Sequence, residues 1–204
     1  MITLYYSPQT RSARIFWMLE EIGQPYELEA VDIRGDRSAD SAEFRAASPL
    51  AKVPAIMDRT DGSTARVADS AAICLYLADR YAPGELAPAA DDPARGEFLT
   101  WLFYTPSVIE PAMAEKIAGI EPNPTSYAWG SWDRMRRGLS ARLDGREWLV
   151  GDHFTAADLM ISGSLQFMSS FGLMELSPAM AAYRDRCFER PAAIRAQERE
   201  QAAS

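Results

Sequence analysis

Two cysteines and a single histidine are all the thiols and imidazoles that these 204 residues contain. Cys74 and Cys187 stand far apart with no CxxC spacing, which excludes a disulfide framework and a zinc ribbon and fits a reducing compartment. His153 alone leaves too few ligands for a metal site, so no metal is expected. Long apolar runs are also lacking: none approaches the ~20 residues that span a bilayer. The start, Met1-Ile2-Thr3-Leu4-Tyr5-Tyr6, enters a strand-like run without the basic-then-apolar order of a secretion signal, so a cytoplasmic protein without a membrane partner is expected. Positive charge is in deficit, 21 Lys and Arg against 29 Asp and Glu, for a net charge of -8 and a pI of about 4.8. Such a surface repels phosphate backbones, which excludes nucleic acid as a partner.

What is present is 48% hydrophobic content, enough to bury one large core or two small ones. Residues 2 to 6 read as a short buried strand that ends at Ser7-Pro8, where proline denies a ladder hydrogen bond. Ile15, Met18, Leu19 and Ile22 repeat at the spacing of one helical face, and Gly23 with Pro25 supplies the stop. Tyr26, Leu28 and Ala30 alternate with Glu27 and Glu29 as in a half-buried strand. The polar stretch from 34 to 48 holds at most one short helix, at 41 to 47. Two strand-like runs, 53 to 57 and 64 to 68, flank Thr60-Asp61-Gly62-Ser63 and predict a hairpin, followed by a helix over 70–81.

From Ala82 to Pro93 the composition turns to Pro, Gly, Ala and Asp, the mark of a linker, and Asp92-Pro93 reads as the cap and first residue of a helix. Everything beyond is helical in pattern, including Met135, Leu139 and Leu143, and Met180, Tyr183 and Cys187. The expected class is α/β plus all-α: residues 1–81 as one domain, 82–92 as linker and 93–204 as a helical domain. No internal repeat interrupts it.

Three constellations carry possible chemistry. In Lys52-Val53-Pro54-Ala55-Ile56 a proline opens a strand; a cis Val53-Pro54 bond would leave the Val53 N–H and C=O free to pair with an extended peptide. In Asp69-Ser70-Ala71-Ala72-Ile73 a carboxylate and a hydroxyl stand at a helix start. There the helix N–H groups and Ser70 suit a carboxylate and Asp69 an α-ammonium, although plain capping explains the same residues. In Ser7-Pro8-Gln9-Thr10-Arg11-Ser12-Ala13-Arg14 three hydroxyls and two arginines precede the first helix, whose dipole favours an anion and lowers the pKa of a nearby thiol. Thr10 or Ser12 could equally serve as caps. Trp101, Phe103 and Tyr104, with Tyr127, Trp129 and Trp132, are candidates for an apolar pocket, against the plainer role of core packing.

Tyr5-Tyr6-Ser7-Pro8, Lys52-Val53-Pro54-Ala55-Ile56 and Asp69-Ser70-Ala71-Ala72-Ile73, in this order and spacing, resemble the glutathione transferase superfamily over the whole chain. Gly151-Asp152-His153-Phe154-Thr155-Ala156-Ala157-Asp158 resembles that family's capping box: Thr155 caps, Asp158 reaches back and Phe154 staples onto Leu159. The resemblance implies an N-terminal thioredoxin-like domain with a mixed four-stranded sheet, a C-terminal helical bundle, a homodimer and a role in detoxification. It implies glutathione as co-substrate, with Val53 pairing to its backbone beside cis Pro54, Asp69 and Ser70 at its γ-glutamyl end and Lys52 on a carboxylate. The sulfur activator is expected to be Thr10, then Ser12, with Ser7 and the strand tyrosines behind them, and Phe103 and Tyr104 would face a small apolar electrophile. Where some bacterial members carry a cysteine near the first helix this chain has none, which disfavours cysteine-type thiol exchange. The rival reading is a non-catalytic ligand-binding or scaffold protein with the same fold.

Overall fold

A computed structural model of the protein describes residues 1–35 and 40–203, so four residues of the polar stretch from 34 to 48 lie outside the described part. The chain forms two compact units, one comprising Met1–Pro83 with the C-terminal segment from Arg190, the other Gly84–Glu189.

The first unit runs β1 (Ile2–Tyr6), α1 (Ala13–Ile22), β2 (Tyr26–Ala30), α2 (Ala42–Ala47), β3 (Ala55–Asp58), β4 (Ala65–Ala68) and α3 (Ser70–Tyr81). Its sheet has the order β2-β1-β3-β4, with β1 parallel to β2 and antiparallel to β3, and β3 antiparallel to β4. This is the mixed four-stranded sheet that the family resemblance implies. Successive β1 residues face opposite sides of the sheet. Tyr5 packs with Phe44, Ala47, Ala55 and Met57, while the next residue, Tyr6, meets Phe16 of α1 edge-on. Gly23 ends α1 in the left-handed conformation, its N–H returning to the Leu19 carbonyl, the geometry that favours glycine at this position.

A buried carboxylate helps join the hairpin to α3. Asp58, at the end of β3 and 2% exposed, accepts from the Thr60 N–H and hydroxyl through Oδ1 and from the Tyr76 and Tyr81 hydroxyls through Oδ2, with Arg80 Nε 3.2 Å away. Burial by itself would raise the pKa of this carboxyl. The Thr60 and Tyr81 hydroxyls, the Thr60 N–H and the Tyr76 hydroxyl outweigh it and hold the group below its usual range.

The last helix, α9 (Pro191–Ala202), also belongs to this unit. Ala192, Ala193 and Ala196 are buried and allow close approach to α1. Arg190 grips Glu21 with two hydrogen bonds, at 2.7 and 2.8 Å, and Arg195 reaches the Glu20 carboxylate and carbonyl. The helical pattern from residue 93 onward carries no sign of which unit this helix joins.

The second unit contains α4 (Arg95–Tyr104), a π-helical turn (Thr105–Ile109), α5 (Glu110–Ala118), α6 (Trp132–Leu143), α7 (Ala156–Ser170) and α8 (Pro178–Phe188). The π turn contains Pro106 and is followed by Pro111, both of which lack N–H donors, and the Glu110 N–H bonds to the Thr105 carbonyl. Asp92 does not cap α4 as its sequence suggests. The helix begins at Arg95, and Asp92 instead closes the preceding turn by accepting the Ala94 N–H at 2.7 Å. The Thr155–Asp158 capping box is present, but Asp158 does more than cap. Its fully buried carboxylate also accepts the Leu149 N–H at 2.9 Å and the Tyr183 hydroxyl at 2.8 Å, tying α7 to the preceding loop and to α8.

Two predictions follow from these ties. Asp158→Ala leaves the buried Leu149 N–H and Tyr183 hydroxyl without their acceptor and should cost about 2–5 kcal/mol in urea unfolding, more than a lost cap alone. Asp58→Asn should destabilise by roughly 1.5–3 kcal/mol at neutral pH. Because the folded-state pKa of Asp58 is depressed, its contribution exists above the unfolded value of ~4 and fades as pH falls below that. The gap between wild type and Asp58→Asn in urea midpoint should therefore narrow at pH 3; an unchanged gap would show that the carboxylate charge is not what Asp58 contributes.

Candidate active site

Strand register sets the site. Tyr5 lies opposite Ala55 on β3, and Ala55 lies opposite Ala68 on β4, so one row of residues crosses three strands. β1 leaves this row towards Ser7, β3 arrives at it from Pro54, and β4 leaves it towards Asp69. The three segments singled out in sequence thus meet at one end of the sheet, although they lie far apart along the chain.

The loop between β1 and α1 holds its hydroxyls in a small network. Thr10 Oγ1 donates to the Ser7 carbonyl at 2.7 Å, lies 3.0 Å from Ser12 Oγ and accepts the Ser12 N–H at 3.2 Å. Ser12 Oγ stands 3.5 Å from the Ser7 nitrogen. Ser12 is fully buried and makes no side-chain cap, whereas Thr10 is half-buried. Of the two expected activators, Thr10 is the one with its side chain accessible. The first turn of α1 contains no acidic residue, so no carboxylate there opposes an anion at the helix start.

At the head of β3 the Val53-Pro54 bond is cis, and neither β ladder reaches Val53, since β3 begins at Ala55. Pro54 is buried; Val53 is half-buried and packs against the Tyr5 cluster; the Lys52 side chain is exposed. A residue that the sequence did not single out arranges this turn. The buried Ser48 hydroxyl donates to the Lys52 carbonyl and accepts the Lys52 N–H, both at 2.8 Å. Only its position four residues before Lys52, after a polar helix, hinted at this.

Asp69 caps α3: Oδ1 accepts the Ala71 N–H at 2.9 Å and the Ala72 N–H at 3.3 Å. The plain capping role is therefore present, and two helix amides are occupied by Asp69 itself. The residue nevertheless sits at φ 77, a conformation costly for any side chain, and stays exposed, while Ser70 is buried. The arrangement presents an exposed carboxylate beside a helix N-terminus at the same sheet end as the hydroxyl loop.

Phe103 and Tyr104 lie on α4 in the second unit, both half-buried. Tyr104 rests at 4.9 Å from the Trp101 ring, and its hydroxyl packs against Gly138 of α6, where an added Cβ would come within 2.9 Å; burial raises the phenol pKa. Trp129 donates to Glu115 and stacks on Tyr127, a packing role. Cys74 and Cys187 are buried and free, and burial pushes both thiols up to about 12, so neither supplies a thiolate near neutral pH. His153 is exposed beside Asp152. Among the described residues no cluster of three metal-ligating side chains occurs, and no helix is long and apolar enough to cross a membrane.

Residues 7–80 match the family model of the glutathione S-transferase N-terminal domain and 133–191 that of the C-terminal domain. Glutathione S-transferase 3 of Schizosaccharomyces pombe is 31% identical over 177 residues, which are 78% of this chain and 70% of the relative. The chain belongs to the glutathione S-transferase family. It is also 28% identical to the disulfide-bond oxidoreductase YfcG of Escherichia coli, over 94% of this chain and 92% of the relative. A family member from Pseudomonas fluorescens, solved with two glutathione bound, superposes with a TM-score of 0.77 at 29% identity, covering 96% of this chain and 91% of that one.

The dual position of Asp69 gives a test of the local architecture. Asp69→Ala should lose the α3 cap and cost ~0.5–2 kcal/mol in thermal or urea unfolding, whereas Asp69→Asn, which keeps an acceptor oxygen and tolerates positive φ, should stay within a few tenths of wild type. Equal losses in both would mean that the charge, not the cap, holds this turn.

Proposed function

We propose that this protein is a glutathione-dependent transferase that ionises the bound tripeptide and lets its thiolate attack the carbon of a small apolar electrophile. The observation that carries the reading is the convergence of the hydroxyl loop, the Val53-Pro54 strand start and the Asp69-Ser70 helix start at one end of the sheet. Family membership and the glutathione in the Pseudomonas relative support it. In this reading Val53 pairs with the cysteinyl backbone of glutathione, Asp69 takes the α-ammonium, Ser70 and the α3 amides not bound by Asp69 take the adjoining carboxylate, and Lys52 takes the other carboxylate. Thr10 turns its hydroxyl proton from the Ser7 carbonyl to the sulfur. A thiol of pKa about 8.5 is mostly protonated at neutral pH, so each hydrogen bond that favours the anion enlarges the reactive fraction. Holding both reactants together supplies the rest of the rate. Phe103 and Tyr104 contribute an apolar surface for the electrophile, and the protein acts as a cytoplasmic homodimer.

A second reading is favoured by one specific observation, the match to a disulfide-bond oxidoreductase over nearly the full length of both chains. There the glutathione thiolate attacks one sulfur of a disulfide and expels the other as a thiolate, and a second glutathione thiolate attacks the glutathione sulfur of that mixed disulfide, expelling the remaining substrate sulfur as a thiolate and forming oxidised glutathione. Since both protein thiols are buried, glutathione would supply all the thiol chemistry.

Two experiments test these assignments. Asp69→Asn should keep the fold yet weaken glutathione binding in calorimetry by about 1.5–3 kcal/mol, the value of a charge-assisted hydrogen bond; undiminished affinity would remove Asp69 from the site. Thr10→Ala should move the pKa of bound glutathione, read from thiolate absorbance, towards its free value with little change in affinity, because the hydroxyl favours only the ionised form. If Ser12→Ala shifts that pKa and Thr10→Ala does not, Ser12 is the activator. Turnover of a small disulfide but of no electrophile would replace the transferase reading by the oxidoreductase one, and glutathione binding with no turnover of either would leave a ligand-binding role.

A further inference from the structure

The hydroxyl loop touches a part of the chain that none of its own motifs contains. Gln9, at the crest of the loop, adopts φ 56, the left-handed region that disfavours a residue with a side chain. Its N–H donates to Glu200 Oε1 at 3.3 Å, across 191 residues of sequence. One turn further on, the Tyr6 hydroxyl, at the β1 end of the same loop, donates to the Ala203 carbonyl at 2.7 Å. The last turn of α9 and the Ala203 cap after it therefore hold the loop on both sides of Ser7 and Pro8. The opposite end of α9 is fixed to α1 by Arg190 on Glu21 and Arg195 on Glu20, so Glu200 projects from an anchored helix. Glu200 is half-buried, and burial raises its pKa while the Gln9 N–H lowers it.

We propose that Glu200 is a positioning residue for the hydroxyl loop: by accepting the Gln9 N–H it holds the left-handed turn that sets Thr10 and Ser12 in place. The sheet-and-α3 unit and its C-terminal helix then form one functional site, with α9 serving as the outer wall of the loop. Glu200 touches neither the sulfur nor the tripeptide in this role; it acts through the backbone of Gln9. An acceptor oxygen is what the role requires, so glutamine at position 200 should serve and alanine should not.

The decisive measurement needs no ligand. Amide hydrogen exchange is followed at residues 9–12 in wild type, Glu200→Ala and Glu200→Gln, with Arg195→Ala as a variant that loosens the same helix away from the loop. Glu200→Ala should speed exchange across residues 9–12 by about five- to tenfold, as expected for one lost hydrogen bond, while Glu200→Gln stays near wild type. Arg195→Ala should lower overall stability without this local signature. Wild-type exchange in Glu200→Ala, or an equal loop response in Arg195→Ala, overturns the proposal, the second because general docking of α9 would then suffice. The second arm rests on the glutathione reading. There Glu200→Ala should raise the pKa of the bound thiol and lower kcat severalfold with the KM for glutathione little changed, and Glu200→Gln should restore both; a bound-thiol pKa and kcat unmoved by Glu200→Ala would overturn the link from loop to sulfur. If wild type fails to bind glutathione, the proposed function falls while the exchange experiment still decides the role of Glu200.

Discussion

Cross-strand register between β1, β3 and β4 is the constraint on which the candidate site depends. Tyr5, Ala55 and Ala68 form one row, and a slip of one residue in either pairing would turn the strand residues concerned to the opposite faces of the sheet. The slip would also displace Val53 or Asp69 by a residue's length along the strand direction, about 3.3 Å, more than a hydrogen bond tolerates. The register is held by what each face buries. Tyr5, Ala55 and Met57 meet Phe44 and Ala47 of α2 on one side, and Tyr6 meets Phe16 of α1 on the other. Core packing and site geometry are in this sense a single requirement.

Carboxylates do much of the tying. Asp58 gathers the hairpin and α3, Asp158 gathers α7, α8 and the loop at Leu149, Asp69 caps α3, and Glu21 anchors α9 through Arg190. An ionised carboxylate accepts several hydrogen bonds at once, so a single buried aspartate can satisfy N–H and hydroxyl donors from elements distant in sequence. The balance differs between the two buried aspartates. At Asp58 the donors outweigh burial and the pKa falls; at Asp158 burial outweighs the donors and the pKa rises. The excess of acidic residues thus contributes to the interior as well as to the surface.

The loop before α1 carries hydroxyls and no cysteine, and the chain's two thiols lie elsewhere. Both thiols are packed away with raised pKa values, and the first turn of α1 carries no carboxylate. Within the loop Thr10 bonds to the Ser7 carbonyl and the Ser12 N–H, while the Gln9 N–H turns outward to Glu200.

Periodicity and punctuation in the sequence determined the elements: the 3.6 repeat of Ile15, Met18 and Leu19, the Gly23 stop, the Asp61-Gly62 hairpin, the helix over 70–81 and the capping box at Thr155. These depend on neighbours within a few residues, which is why a sequence displays them. The same local logic misplaced the start of α4, since Asp92-Pro93 suits a turn as well as a cap and only packing chooses. The motif residues of the candidate site were legible as residue types at suggestive positions, but their roles were not. Whether Asp69 caps or stays exposed, whether Thr10 or Ser12 is accessible, and that Ser48 clamps Lys52 are matters of burial and partner, which the strand order decides. Glu200 lay in an alanine-rich tail with no motif around it. Its approach to Gln9 exists only because α9 docks on α1, a contact between helices about 170 residues apart in the chain. No local pattern encodes such a contact, because its free energy comes from surfaces that meet only after the chain has folded.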